Sequence, residues 1–341
     1  AAHNGYVPIA LDPSGFEPKW DRILMPDEET ILPFNPIVAG DGKVFLSYDA
    51  FWYSGVSLFA LDSGSGETCW SEDFDLVDIW TVNPPSYADG KVYIQTANEF
   101  VTDFPSFLRA FDASNGDLIF ESQFDAQFDG YYAPTLYDNT VSENGGRFGG
   151  LYAFDALSGS GAWTHEPLPM NEEWTPAVDA QYAYACVGDG LYVIDRTSGE
   201  EAFWIEGPDS FASIYDGNSM GLAPVIGGQE DILVIHDGRL ISFDLQQRSI
   251  RWEKENAFTG QPSVANGLIY AIDDGTLSAL DQATGGFLWS WQPSGEEGEA
   301  QALTGTIIIT DTHAIVGSDD ITYAIDLETH EAVWDLSLIH I

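Results

Sequence analysis

The chain has 341 residues, and 11 Lys and Arg against 55 Asp and Glu leave a formal charge of −44. Charge of that size accompanies disordered acidic chains, but 44% of these residues are apolar and 13% aromatic, which is enough to drive burial of a core. The negative surplus argues by repulsion against nucleic acid and anionic membrane surfaces as partners, and no apolar run is long enough to span a bilayer.

Taken in chain order, the predicted elements are copies of one repeat. The first copy is IALDPSGFEPKW (9–20), then LFALDSGSGETCW (58–70), LRAFDASNGDLIF (108–120) and LYAFDALSGSGAW (151–163). LYVIDRTSGEEAFW (191–204), LISFDLQQRSIRW (240–252), LSALDQATGGFLW (277–289) and TYAIDLETHEAVW (322–334) follow. The anchoring aspartates are Asp12, Asp62, Asp112, Asp155, Asp195, Asp244, Asp281 and Asp326. An aromatic stands eight residues after each: Trp20, Trp70, Phe120, Trp163, Phe203, Trp252, Trp289 and Trp334. The aspartates are 37 to 50 residues apart, room for about four short strands and their turns.

Residues 262–291 show the unit most clearly. Pro262 opens a first strand, where a missing N–H does little harm. Asn266-Gly267 and Asp274-Gly275 each predict a tight hairpin with positive φ at both turn positions, and Leu268–Ala271 and Leu277–Leu280 are the strands between them. Asp281 accepts N–H bonds from the turn after it, Gly285 supplies a left-handed residue, and Phe287–Trp291 is the outer strand. The same Asp-Gly pairs recur at 41–42, 89–90, 189–190 and 237–238. Strands such as YAFD and YVID are apolar on both faces, so each sheet is covered on both sides. The fold class expected is all-β: a β-propeller of four-stranded antiparallel blades, with each Trp docked between blades.

The pattern Leu-Tyr-Ala-x-Asp-x-x-(Thr/Ser)-Gly-x-x-x-Trp resembles the repeat of the pyrroloquinoline-quinone (PQQ)-like propellers, from about Tyr6 to Trp334. That family includes quinoprotein alcohol dehydrogenases and the outer-membrane assembly lipoprotein of the β-barrel machinery. The resemblance implies an eight-bladed ring, here a single domain over 1–341 with seven complete repeats and a partial blade at the N-terminus; the eighth blade lacks two strands, so a C-terminal truncation is expected. Arg248 and His330 stand where the repeat has Gly, so their turns are expected to be built differently. The family's dehydrogenases hold PQQ over a Trp and under a disulfide of adjacent cysteines, beside calcium. This chain has only Cys69 and Cys186, which make neither a disulfide framework nor a metal cluster and are expected to be small buried residues. No residue here matches a calcium ligand by motif, so the fold is carried over and the active site is not.

Other chemistry is thin. Gly217-Asn218-Ser219-Met220-Gly221 matches the serine-hydrolase elbow, but Leu222-Ala-Pro-Val begins a strand where that motif needs a helix. The six histidines include no pair at metal-ligand spacing. The residues before the strand-opening prolines are expected to ring one mouth of the channel: Asn35, Trp80, Asn83, Tyr131, Tyr132, Trp174 and Gln261. Aromatics interleaved with amides suit stacking on a sugar or planar cofactor; the plainer alternative is that they cap the core. Two longer loops, 48–56 and 96–107, carry Phe51, Trp52, Tyr53, Phe100 and Phe104, a pattern suited to a partner-binding edge.

The function expected is a non-catalytic, exported propeller, periplasmic or extracellular and monomeric, that binds a protein or glycan and needs no metal or cofactor. The alternative is a PQQ-dependent alcohol or sugar dehydrogenase domain with calcium. The acidic surface also suits a protein kept soluble in salty water.

Overall fold

A computed structural model describes residues 9–11, 18–21, 35–48, 56–74, 81–97, 106–125, 133–145, 149–168, 174–211, 223–228, 230–293, 301–318 and 321–337. Among these the regular elements are all β-strands. The chain divides into two compact units, Ala1–Gln181 with Arg196–Glu200 and Tyr182–Asp195 with Glu201–Ile341.

In the first unit β1 (Ile9–Leu11) pairs with β2 (Pro18–Asp21). A four-stranded antiparallel meander follows: β3 (Val38–Gly40), β4 (Lys43–Tyr48), β5 (Val56–Asp62) and β6 (Thr68–Phe74). In the next sheet, two short strands, β7 (Thr81–Val82) and β8 (Ser86–Ala88), both pair with β9 (Lys91–Ala97). The sheet continues through β10 (Ser106–Asp112) to β11 (Leu118–Phe124). The meander repeats in β12 (Thr135–Tyr137), β13 (Thr140–Asn144), β14 (Leu151–Asp155) and β15 (Gly161–His165), and β16 (Ala177–Val178) is the last strand of the unit.

The second unit begins with β17 (Tyr182–Asp195) paired to β18 (Glu201–Phe211). Its three four-stranded meanders are β19 (Val225–Gly227) to β22 (Ser249–Glu255), β23 (Phe258–Ala265) to β26 (Phe287–Trp291) and β27 (Leu303–Ile309) to β30 (Ala332–Ser337).

Within each unit successive sheets pack face on face. One cluster joins Phe45, Leu58 and Ala60 to Val82, Val92, Ile94 and Phe111 of the next sheet. Another joins Tyr270, Ile272 and Leu277 to Leu303, Ala314 and Ile325. Opposite faces of one strand are both dry, as at Phe45 and Leu46, which is why these strands do not alternate apolar with polar.

The predicted hairpins form at Asp41-Gly42, Asp89-Gly90, Asp237-Gly238, Asn266-Gly267 and Asp274-Gly275, where both members of each pair have positive φ. Asp189-Gly190 differs. Arg196 N–H donates to the Gln181 carbonyl at 3.0 Å, so β17 doubles back on itself between those residues, and the positive φ falls on Gly188 (62°). Gly190 instead passes close to β18, where a Cβ would meet the Ile205 carbonyl at 2.2 Å.

Two further expectations are corrected. Arg248 and His330 do not build different turns; they adopt the left-handed conformation themselves, at φ 53° and 59°. Cys186 is buried, but Cys69 is exposed on β6, a last strand whose residues beside Trp70 face outward.

Candidate functional site

The repeat residues form one device used again and again. The Asp carboxylate closes the turn that follows: Asp62 Oδ1 accepts from the Gly64 and Ser65 N–H groups at 2.9 and 2.8 Å, Asp281 from Thr284 at 2.9 Å, and Asp326 from Thr329 at 2.7 Å. These bonds hold Asp62, Asp112, Asp155, Asp244 and Asp326 below the ordinary carboxylate range. The aromatic of one repeat then docks on the turn of the next. The indole N–H of Trp20 donates to Ser63 O at 3.1 Å, Trp70 to Ala113 O at 3.0 Å, Trp163 to Arg196 O at 2.7 Å and Trp252 to Gln282 O at 3.0 Å. The faces of these rings lie under the left-handed glycines Gly66, Gly116, Gly199 and Gly285, where an added Cβ would sit 2.7–2.9 Å from a ring carbon.

Of the residues predicted at a channel mouth, Trp80, Tyr131 and Tyr132 lie outside the described residues, as do Phe51, Trp52, Tyr53, Phe100, Phe104 and Ser219. Asn35 is buried and its amide donates to Ser47 Oγ at 2.9 Å and Val82 O at 2.7 Å. Asn83, 1% exposed, donates to Gln95 Oε1 at 3.2 Å. Trp174 is fully buried, and its carbonyl accepts from Asn144. Gln261 is half-buried and donates to Ala223 O at 3.1 Å. Asn35 and Asn83 share one network through Ser47, whose hydroxyl donates to the Asn83 carbonyl at 2.9 Å. Hydroxyls that open the first strand of later sheets also reach toward the next sheet: Ser86 to Pro134 O at 2.5 Å and Thr135 to Pro176 O at 2.9 Å.

An open site lies elsewhere. Between β11 and the β14–β15 hairpin is a cleft of about 550 Å³. Its floor is aromatic: the Phe124 ring stands 5.2 Å from Tyr152 and 5.5 Å from Phe154. Gln123, Asp125 and Thr164 supply polar groups at its walls. Burial first, and then the Asp125 and Glu166 carboxylates, hold the Tyr152 phenol above its ordinary range. Sequence reading missed this cleft because no motif marks it; the signal is a mismatch between repeats.

Cys69 is exposed, Cys186 is buried with its thiol pushed up by burial, and neither is bridged. Among the described residues, no three His, Cys, Asp or Glu are grouped to hold a metal ion. The described residues do not fit a quinone held under adjacent cysteines beside calcium.

Successive four-stranded meanders, each closed by an Asp turn and docked through an aromatic, define the class as a PQQ-like β-propeller. The family described as outer membrane protein assembly factor BamB matches residues 56–291, and the chain belongs to that family. The assembly factor BamB of Burkholderia pseudomallei is 31% identical over 153 residues, 41% of this chain and 39% of that protein. The BamB of Shewanella oneidensis is 21% identical over 245 residues, 68% of this chain and 60% of that one. The chain thus spans less than two thirds of either relative. Among solved structures, BamB from Moraxella catarrhalis has a TM-score of 0.67 at 16% identity, over 93% of this chain and 94% of that one. Quinohemoprotein alcohol dehydrogenase from Comamonas testosteroni also reaches 0.67, at 14% identity, over 93% of this chain and 68% of that one, a likeness of fold alone.

Proposed function

We propose that this protein is a non-catalytic, exported scaffold that binds a protein partner, periplasmic like an outer membrane assembly factor would be. The family match over residues 56–291 carries the reading. The surface suits it: among the described residues the last strand of a sheet pairs on one side only, and two such strands expose adjacent apolar side chains, Leu118 and Ile119 on β11 and Phe287 and Leu288 on β26. An unpaired edge with apolar side chains is a place where a partner strand adds. A protein partner is preferred to a glycan because Asn35, Asn83 and Trp174 are buried and their bonds run to the protein's own interior.

The test is photo-crosslinking in the native host envelope from a probe placed at Ile119 or Leu288, beside a dye-reduction assay with added PQQ and calcium. The scaffold reading expects a discrete protein adduct and no alcohol- or sugar-dependent dye reduction. Dye reduction without an adduct would replace it with the dehydrogenase.

A further inference from the structure

The cleft at Phe124 and Tyr152 has a filled counterpart one repeat earlier. Strand pairing sets the equivalence: Arg109 faces Glu121 across β10–β11 as Tyr152 faces Thr164 across β14–β15. In the earlier place the chain fills the space with its own cation. The Arg109 guanidinium lies 5.8 Å from the centroid of Phe74 on the preceding sheet and 4.8 Å from Phe107, and it pairs with Glu121 at 2.8 Å. Phe124 is the counterpart of Phe74, each ending the last strand of its sheet four residues after the repeat aromatic.

The later place keeps the aromatic wall and loses the occupant. Tyr152 replaces Arg109, Thr164 replaces Glu121 and Gly150 replaces Phe107, which together leave the cleft of about 550 Å³. Among the described residues no Lys, Arg or His lines it, while Asp125 does, and the Glu166 carboxylate also acts on the Tyr152 hydroxyl. A carboxylate beside tilted aromatic rings is an environment in which a guanidinium binds, by ion pairing and by stacking on a ring face. The chain puts its scarce cations to the same use at Arg196 over Tyr137 (4.8 Å) and Arg248 over Phe203 (4.3 Å).

We infer that this cleft is a receptor for an arginine side chain of a partner polypeptide, seated against Phe124 and Tyr152 with its guanidinium directed to Asp125. The inference rests on the scaffold reading for the source of the arginine; the chemistry of the cleft stands apart from it.

The test is saturation-transfer NMR on the full chain with N-acetyl-L-argininamide, against N-acetyl-L-citrullinamide, a neutral isostere, and N-acetyl-L-lysinamide. The arginine compound is expected to bind saturably and at least about fivefold more tightly than the other two, because it alone joins charge to a planar stacking face. Asp125→Asn, at an exposed side chain that does not threaten the fold, is expected to weaken it by about fivefold or more. Tyr152→Arg, which supplies the cleft with its own guanidinium, is expected to abolish it, and Tyr152→Phe to keep it. Equal binding of the three compounds overturns the assignment, and so does binding unchanged by Asp125→Asn, since a diffuse attraction to 55 acidic side chains does not register the loss of one. Probe binding as predicted with no crosslinked adduct leaves the receptor standing and removes the scaffold reading; an adduct without probe binding does the reverse.

Discussion

The imidazole of His330 lies flat on the indole of Trp289, ring centroids 4.1 Å apart and planes 17° from parallel. Most repeats place a left-handed glycine on that indole face, as Gly285 covers Trp252. His330 keeps the left-handed backbone and the same bond from its N–H to the Asp326 carbonyl, at 2.9 Å, and covers the ring with its own. Arg248, also left-handed at φ 53°, sets its guanidinium over the Phe203 ring. Trp289→Ala therefore removes a docking ring from the interior of the second unit and is expected to cost about 3 kcal/mol, read by denaturant unfolding, the lower end of the usual range because the ring is only partly buried. His330→Gly relieves backbone strain and loses stacking, and is expected to lie within about 1 kcal/mol of wild type.

Glu143 gives the clearest pH prediction. It is 3% exposed with Oε1 lacking a partner among the described residues, at the strand position that Leu46 and Ile94 occupy in the two preceding sheets. Burial raises its carboxyl well above the ordinary 4.5. A carboxyl raised in the folded state favours the fold less as pH climbs past its unfolded value, because the charge must then be buried or the proton kept. Glu143→Leu is expected to stabilise the protein at pH 7 by about 1–3 kcal/mol, the cost of an unpartnered buried polar group, with the gain shrinking toward pH 4. A gain that does not change with pH would show that the side chain is not titrating in a dry site.

The repeat aspartates act in the opposite direction. Hydrogen bonds lower them, first from the backbone N–H of Ser65 at Asp62 and of Thr329 at Asp326, and first from the Ser114 and Ser158 hydroxyls at Asp112 and Asp155. A depressed folded value means stability that is full above the ordinary 3.8 and lost as pH falls through the folded value. The melting temperature is expected to drop below about pH 4, and less steeply in Asp62→Asn, with calorimetry across pH 6 to 2.5 as the measurement.

Thiol labelling reads the two cysteines apart. In the native state one thiol per chain is expected to react with a maleimide, at exposed Cys69, and two after denaturation, when Cys186 loses the burial that keeps its thiol protonated.

Legibility followed periodicity. The Asp-to-aromatic spacing and the Asp-Gly and Asn-Gly pairs identified turns whose backbone angles follow from local chemistry, so Asp62, Asp281, Trp70 and Trp252 stand as the repeat predicts. The turn in β17 moved by one residue because Gly188, Asp189 and Gly190 all accept turn geometry and packing against Ile205 decided among them. Arg248 and His330 could be left-handed because a ring across the sheet interface offsets the strain, a contact invisible along the chain. The cleft was illegible for the same reason: it arises from Phe124, Tyr152 and Thr164 on different strands, and only pairing register aligns them with Phe74, Arg109 and Glu121.

Gly116 and Trp70 test the docking device most directly. Gly116 has φ +80°, and an added Cβ would lie 2.8 Å from the Trp70 ring, whereas at Gly42, φ +71°, none of the described residues stands within 4 Å. Gly116→Ala is expected to cost about 1–3 kcal/mol more than Gly42→Ala, the overpacking cost beyond shared backbone strain. A double-mutant cycle of Gly116→Ala with Trp70→Ala should recover that excess, with a coupling of at least about 1 kcal/mol. Additive costs, with Gly116→Ala equally damaging whether or not the indole is present, would contradict the docking of one sheet's aromatic on the next sheet's turn.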